Sequence, residues 1–150
     1  MPIKTFRGQI ADGAQDTIVL HTNDGSTGYR IVKFQAVGIT LASQAYEALL
    51  QIFKNPQVGV GLPGASASID FSDNRLLGIA YWGSHGDVKG IVQTIIFDNE
   101  VFNQDIYITC KDSDAQPCNY YLELEQVKLN SDENTVATLK DIRNRPSGTV

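Results

Sequence analysis

Apolar and polar residues alternate along most of this chain in short runs that end at turn-forming residues. In residues 17–22, for example, Ile18 and Leu20 fall on one side, and Val19 and His21 on the other. A period of two residues is typical of a β-strand. The pattern predicts about eight short strands, at residues 5–10, 17–22, 28–37, 68–72, 76–82, 91–97, 105–111 and 119–129. Strands of this length and spacing favour an all-β fold, a single-domain antiparallel β-sandwich.

Local signals along these strands predict further details of the sheets. Asp24-Gly25 is a strong turn signal, because this dipeptide tolerates the positive φ that a hairpin needs. Residues 28–37 carry apolar side chains on both faces, which predicts a strand near the centre of a sheet. The alternation slips at Glu125-Gln126, and one extra residue would restore a common face. We therefore predict a β-bulge there.

Residues 43–55 are compatible with two structures. As a helix, the segment would place Leu49, Leu50 and Phe53 on one face and would end at Asn55-Pro56. As a strand, it would alternate apolar residues with Glu47 and Gln51. Local propensity favours the helix, whereas the β-rich surroundings favour the strand, and we predict a strand.

The last 20 residues differ from the rest of the chain. Ser131-Asp132-Glu133 supplies a helix cap and acidic residues for a first turn, and Val136, Leu139 and Ile142 follow at helical spacing. We predict a β-sandwich over residues 1–130, and a short amphipathic helix with a loose tail over 131–150. The narrow apolar stripe of this helix would pack on the sandwich or on another subunit.

Composition restricts the classes of partner. The chain has 150 residues, enough for one domain with a core, and a net charge of −5. An acidic chain without clustered basic residues is not expected to bind nucleic acid through phosphates. No apolar run reaches the roughly 18 residues that cross a bilayer, so membrane insertion is not expected. The first ten residues lack the apolar stretch of a signal peptide, so we expect folding in a cytoplasm rather than export by that route.

The two cysteines flank the sequence KDSDAQP, which predicts a hairpin loop. Cys110 and Cys118 would then lie on neighbouring strands, where sulfur atoms come close. They form either a disulfide or two buried thiols. Neither His21 nor His85 has the spacing of a zinc ligand relative to them.

Candidate catalytic and metal-binding groups are few. Ser84, His85 and Asp87 are the residue types of a triad, but triads assemble across a fold rather than within one loop, here predicted at residues 83–90. Asp112 and Asp114 resemble part of a calcium loop without its glycine and distal glutamate, so turn formation is the better interpretation. The Gly-rich connection at 57–68 lacks the Lys-Ser/Thr ending of a phosphate loop. We predict no catalytic residue, metal or cofactor.

Tyr81 and Trp82 are adjacent and would face opposite sides of a strand. One would belong to the core, while the other could anchor an interface or stack on a sugar ring.

Four blocks of sequence resemble a family of small structural proteins of tailed bacteriophages, known mainly from marine viruses. They are TNDGSTGYRIVKFQ (22–35), IDFSDNRLLGIAY (69–81), IIFDNEVFNQDIYIT (95–109), and CNYYLELEQVKL with ENTVATLKDIRN (118–129 and 133–144). The resemblance implies a jelly-roll-like sandwich in the virion, assembled in the host cytoplasm, that decorates the capsid or forms part of a fibre or knob. It also favours a strand at 43–55.

Three functional hypotheses follow, and the least favoured of them is a small hydrolase that uses His85. In the first, the protein is a non-enzymatic virion component that assembles as a homo-oligomer, expected to be a trimer, on the head surface. It contacts copies of itself and major capsid or other virion proteins through Tyr81, Trp82, Val136, Leu139 and Ile142. In the alternative, a lectin-like sandwich binds host surface glycans through Tyr81, Trp82 and residues 83–90.

Overall fold

The computed structural model describes residues 2–39, 46–85, 88–97 and 100–143, and it contains eight strands and one helix in these ranges. The strands are β1 (Ile3–Ile10), β2 (Gln15–Ile18), β3 (Thr27–Gly38), β4 (Tyr46–Phe53), β5 (Leu76–His85), β6 (Val88–Ile96), β7 (Ile106–Asp112) and β8 (Cys118–Lys128), and the helix is α1 (Ser131–Arg143). The predicted all-β class and the C-terminal helix are confirmed.

The strands form two antiparallel sheets that pack face to face. One sheet has three strands in the order β1-β8-β3, and the other has five in the order β2-β7-β4-β5-β6. The pairs are nested: β1 pairs with β8, β2 with β7 and β4 with β5. This nesting is the pairing scheme of a jelly roll. The departure is β6, which pairs with β5, while β3 approaches β5 and β6 from the facing sheet without pairing to either.

The main hydrophobic core lies between the two sheets, and we call it the inner core. Alternation along β8 directs Tyr120, Leu122 and Leu124 into it, as predicted. The five-stranded sheet contributes alternate, even-numbered residues of β4 and β7, whose side chains face the three-stranded sheet. The largest fully buried apolar side chains of this layer are Phe34, Leu50, Ile52, Leu77, Phe102, Ile106, Ile108, Leu122 and Leu124.

A second, smaller cluster lies on the opposite face of the five-stranded sheet, and we call it the outer core. It consists of Leu49, Phe53, Leu76 and Ile79, with Phe97 packed against them. Residues 56–75, the covering segment, pass over this face in irregular conformation. Gln51, which is almost fully buried, donates from Nε2 to the carbonyl oxygens of Ser66 (3.1 Å) and Ser68 (3.2 Å). The five-stranded sheet therefore has an apolar layer on both faces.

The turn at Asp24-Gly25 forms, but it does not make a hairpin. Gly25 adopts a positive φ of 66°, as the dipeptide predicts. The strands on either side of it, β2 and β3, belong to different sheets, so the chain crosses the sandwich here. Likewise β7 and β8 belong to different sheets, so the connection between Cys110 and Cys118 is a crossover and not the predicted hairpin loop. A turn signal specifies backbone dihedrals, but not the partner of the strand that follows.

The prediction of a central position for β3 was wrong. β3 is an edge strand, and its apolar residues occupy both faces because a β-bulge at Val32 shifts the phase between Ile31 and Lys33. The bulge predicted at Glu125-Gln126 in β8 is absent. β8 runs in continuous register against β1, and the irregularity lies in β3, its partner on the other side.

Three other segments test the sequence pattern. Tyr46–Phe53 is a strand, which confirms that interpretation of residues 43–55 for its described part. Residues 68–72 form no strand, and Ile69 and Phe71 are exposed. The loop predicted at 83–90 is wrong too: β5 continues to His85 and β6 begins at Val88, so the two strands form a hairpin. The predicted tail after residue 143 lies outside the described residues.

Candidate functional site

Helix α1 starts at a reciprocal hydrogen-bonded cap. The side chain of Asn130 accepts a bond from the backbone N–H of Glu133 (2.9 Å), and the Glu133 carboxylate accepts one from the backbone N–H of Asn130 (3.2 Å). This is the geometry of a capping box. The cap is therefore Asn130, one residue before the predicted Ser131, while Asp132 and Glu133 lie in the first turn as expected.

The side of α1 that faces the sandwich is held mainly by polar groups. Asn103 is fully buried, and its Nδ2 lies 2.8 Å from Thr138 Oγ1, 3.0 Å from Asn134 Oδ1 and 3.2 Å from the Gly25 carbonyl oxygen. Asn134 in turn donates to the carbonyl oxygen of Asp24 (2.6 Å). A Cβ atom at Gly25 would lie 2.4 Å from Asn134 Oδ1. The helix thus docks on the turn before β3 through amides, with Ala137 as its buried apolar residue.

The apolar stripe of α1 faces outward. Val136 is 55% exposed and Leu139 59% exposed. The two residues are three positions apart, so they form one continuous patch on the helix surface. The side chain of Ile142 lies outside the described residues. Helical spacing correctly predicted that Val136 and Leu139 share a side, but it could not indicate which side packs on the sandwich.

The edge strand β6 carries a second exposed apolar surface. Residues 91–95 are all exposed, and Ile91, Val92 and Ile95 among them are 38–46% exposed. The sequence predicted a strand here, and its position at an edge depends on pairing that the local pattern does not encode.

Tyr81 and Trp82 face opposite sides of β5, as predicted. Trp82 packs against the inner core, and its indole Nε1 is buried without a hydrogen-bond partner in the part of the chain that the structure describes. Tyr81 lies on the outer face, where its ring covers Gly83: a Cβ atom there would lie 2.4 Å from the Tyr81 hydroxyl oxygen. Partial burial and the charge of Glu47 raise the pKa of Tyr81. The two aromatics therefore do not share one surface.

Among the residues with candidate chemistry, the structure describes the side chains of His21 and Ser84. His21 is exposed, and its Nδ1 lies 2.7 Å from Asp105 Oδ1. Asp105 also accepts the backbone N–H groups of Leu20 and His21, at 2.8 and 3.0 Å. Burial raises the pKa of Asp105, but these bonds outweigh it and leave that pKa below its usual value. Ser84 is buried in β5, whereas the side chain of His85 and the whole of Asp87 lie outside the described residues.

Asp112 shapes the β7–β8 crossover. Its Oδ1 accepts the backbone N–H groups of Asp114 (2.7 Å) and Gln116 (3.3 Å), which agrees with the interpretation as a turn residue. Burial raises its pKa, and these two bonds offset part of that effect. Across the described residues, no three His, Cys, Asp or Glu side chains are grouped as a metal ion would require. The one helix described there is too short and too polar to cross a membrane.

Both cysteines lie in the inner core as free thiols, Cys110 from one sheet and Cys118 from the other. Burial raises the pKa of Cys110 to about 12 and that of Cys118 to about 11. At neutral pH both are protonated, so neither is a ready nucleophile. Of the two alternatives that the sequence left open, a disulfide or two buried thiols, the structure has the two buried thiols.

A buried polar segment that the sequence did not signal follows β4. Lys54 is 3% exposed and pairs with Glu100. Asn55 is fully buried, and neither atom of its amide has a partner among the described residues. Gln15 Oε1 accepts the backbone N–H groups of Gln57 (2.6 Å) and Val58 (3.2 Å). These contacts fix the start of the covering segment against β2.

Comparisons with protein-family models, with curated proteins and with solved structures found no match to this chain. The fold and the surfaces described above define an all-β sandwich with two exposed apolar patches, one on α1 and one on β6.

Proposed function

We propose that this protein is a non-enzymatic structural component of a tailed-bacteriophage virion, where it assembles with copies of itself and with other virion proteins. The observation that carries the proposal is the orientation of α1. Its polar side packs on the sandwich through Asn103, Asn134 and Thr138, while Val136 and Leu139 are exposed.

A surface helix normally turns its apolar stripe toward the core. Single exposed apolar residues are common and need no partner. Here two of them form one patch on a helix whose inner contacts are already satisfied by amides, so the patch is available to another chain. The location in a virion is supported by the four sequence blocks described above and by nested strand pairing, which capsid jelly rolls use.

Composition of purified particles tests the role directly. We expect this chain in purified virions of the phage that encodes it, and gold-labelled antibody should place it on the particle surface by electron microscopy. Its absence from purified particles would overturn the proposal.

The part played by α1 is tested by the double variant Val136→Ser/Leu139→Ser. We expect this variant to be incorporated into particles at a small fraction of the wild-type level, because the patch is lost without disturbing the amide contacts. The matched control is Val19→Ser/Val60→Ser, which also removes two exposed apolar side chains, 66% and 105% exposed. Equal incorporation of both double variants would contradict a role for α1.

The lectin-like alternative required two aromatic contacts, and Trp82 does not supply one of them because it packs inward. A sugar platform would then depend on Tyr81, which lies on the other face.

A further inference from the structure

We propose that strand β6 pairs with β6 of a second copy, antiparallel and about a two-fold axis at Thr94, to join two five-stranded sheets into one sheet of ten strands. The inference deepens the proposed function by naming a contact between copies, and it rests on that function only for its biological setting.

The four sheet edges are protected unequally. Natural sheets block unwanted pairing with charged residues, bulges, short strands or covering segments. β1 carries Lys4 and Arg7, and β2 has only four residues. β3 carries a bulge at Val32, and Tyr29 exchanges two backbone hydrogen bonds with Phe102, at 2.7 and 2.9 Å.

β6 carries Lys89 and a register shift near its start, but it has none of these protections between Ile91 and Ile96. This stretch reads IVQTII, with neither charge nor proline, and continues into Phe97. Within the described chain it is hydrogen-bonded to β5 alone. An exposed, uncharged and mostly apolar edge of this kind is the type that pairs with another strand.

The hydrogen bonds between β5 and β6 show which backbone groups of β6 point away from β5. Phe97 N–H donates to the Leu77 carbonyl oxygen (3.0 Å). In an antiparallel ladder the groups of alternate residues point to opposite sides. Those of Ile91, Gln93 and Ile95 therefore face β5, while those of Val92, Thr94 and Ile96 point to the free edge. Another extended strand supplies the matching row of donors and acceptors.

The facing sheet covers β6 only in part. Ala80 in β5 is fully buried, whereas Thr94, its direct partner in β6, is exposed. The three-stranded sheet thus leaves β6 exposed at Thr94, although β3 approaches both β5 and β6. A second molecule can reach the β6 edge at this position.

Charge favours a second copy as the occupant. In a two-fold antiparallel pair, a residue on the axis faces itself, and directly opposed like charges are destabilising. Centring on Thr94 overlays the uncharged run 91–97 on itself, so Val92 faces Ile96 and Gln93 faces Ile95. Two molecules with a net charge of −5 repel each other over most of their surfaces, and this stretch brings no charge into the contact.

The test uses charge variants at the axis. Sedimentation of the purified full chain should give twice the mass of one chain for wild type, and the mass of one chain for both Thr94→Lys and Thr94→Glu. An equimolar mixture of the two variants should recover the double mass, because lysine then faces glutamate. A monomeric wild type, a dimeric Thr94→Lys, or a mixture that stays monomeric would each overturn the proposed pairing.

The control is Val37→Lys. Val37 is 48% exposed on edge strand β3, and it closely matches Val92, which is 46% exposed on β6. Val37→Lys should stay dimeric, whereas Val92→Lys should weaken the dimer at least tenfold. Far-ultraviolet circular dichroism should be unchanged in all variants, which separates loss of pairing from loss of folding.

Hydrogen exchange gives a second readout. The amides of Val92, Thr94 and Ile96 should be protected in the wild-type dimer and should exchange faster in Thr94→Lys. The failure of this inference is distinguishable from the failure of the proposed function. A monomer in solution overturns the β6 pairing, whereas absence from purified virions overturns the structural role.

Discussion

The inner and outer cores lie on opposite faces of the same five-stranded sheet, and they are closed in different ways. The inner core is covered by a second sheet, whose central strand β8 is hydrogen-bonded on both sides. The outer core is covered by residues 56–75, which have no regular structure. The strands of a hydrogen-bonded sheet open together, whereas the position of an irregular segment depends on a few individual contacts.

Besides the hydrogen bonds from Gln57 and Val58 to Gln15, three contacts hold the covering segment. Gln51 donates to the carbonyl oxygens of Ser66 and Ser68, and Phe71 contacts Phe97 edge-to-face with ring centroids 5.0 Å apart. Within the end of the segment itself, Asp73 forms a two-point ion pair with Arg75 (2.8 Å for each contact), which stabilises the local turn. Regions with few anchors open at lower free energy than the whole fold. We therefore expect the outer core to open locally while the inner core stays closed.

The largest effect is expected in the inner core. Leu122→Ala truncates a fully buried side chain in the middle of β8 and should lower the free energy of unfolding by about 2–5 kcal/mol. Denaturant unfolding measures this loss. Labelling of Cys110 and Cys118 by a thiol reagent should accelerate in parallel, because their buried thiols react only when the sandwich opens. Val19→Ala, at an exposed position, should change stability by less than about 0.5 kcal/mol.

A smaller loss of stability is expected when Gln51, which holds the covering segment over the outer core, is changed. Gln51→Met keeps the side-chain volume but removes the donor to two carbonyl oxygens, at about 0.5–1.5 kcal/mol for each bond. Limited proteolysis within residues 56–75 should become faster, while thiol labelling of the inner core should change little. If the thiols became as reactive as in Leu122→Ala, the two cores would be one cooperative unit.

The aromatic anchor should contribute less. Phe71 is 57% exposed, so Phe71→Ala should cost about 0.5–1.5 kcal/mol through its contact with Phe97. Faster cleavage of the covering segment measures this loss. Ile69→Ala, at an exposed neighbour 44% accessible, is the control and should leave cleavage unchanged.

The smallest expected effect is a dependence of the proteolysis rate on acidic pH. The side-chain hydrogen bond from Arg75 keeps the pKa of Asp73 below its usual 3.8, against a rise due to burial. A carboxylate with a lowered pKa contributes stability above its unfolded pKa and loses it as the pH falls through the folded value. Proteolysis of residues 56–75 by an acid-active protease should therefore accelerate below pH 3.8 in wild type. Asp73→Asn should show a smaller acceleration, because hydrogen bonds from Ser72 also lower the pKa of Asp70 in the same segment. An equal acid response in both would exclude this ion pair as a cause.

The strands were predictable where one face is buried and the other is not. In β8 the alternation of Tyr120, Leu122 and Leu124 with polar residues specified both the strand and its inward face. In β3 the same reasoning failed, because the bulge at Val32 shifts the phase and makes an edge strand look like a central one. In residues 68–72, Ile69 and Phe71 alternate like a strand, but they belong to a segment that covers the outer core without pairing.

The two exposed surfaces were predictable only in part. Helical spacing grouped Val136 and Leu139, yet Asn103, Asn134 and Gly25, which decide that this side faces outward, are far apart in sequence. The run IVQTII was recognisable as a strand, but its exposure depends on where the facing sheet ends.

The sequence by itself determined the β class, the approximate strand positions, the inward face of β8 and the presence of a C-terminal helix, because these depend on periodicity and on local backbone preference. The tertiary structure alone decided which strands pair, which strands lie at edges, that one sheet is covered on both faces, and which side of α1 is exposed. These features depend on contacts between residues distant in sequence, whose energies no local pattern contains.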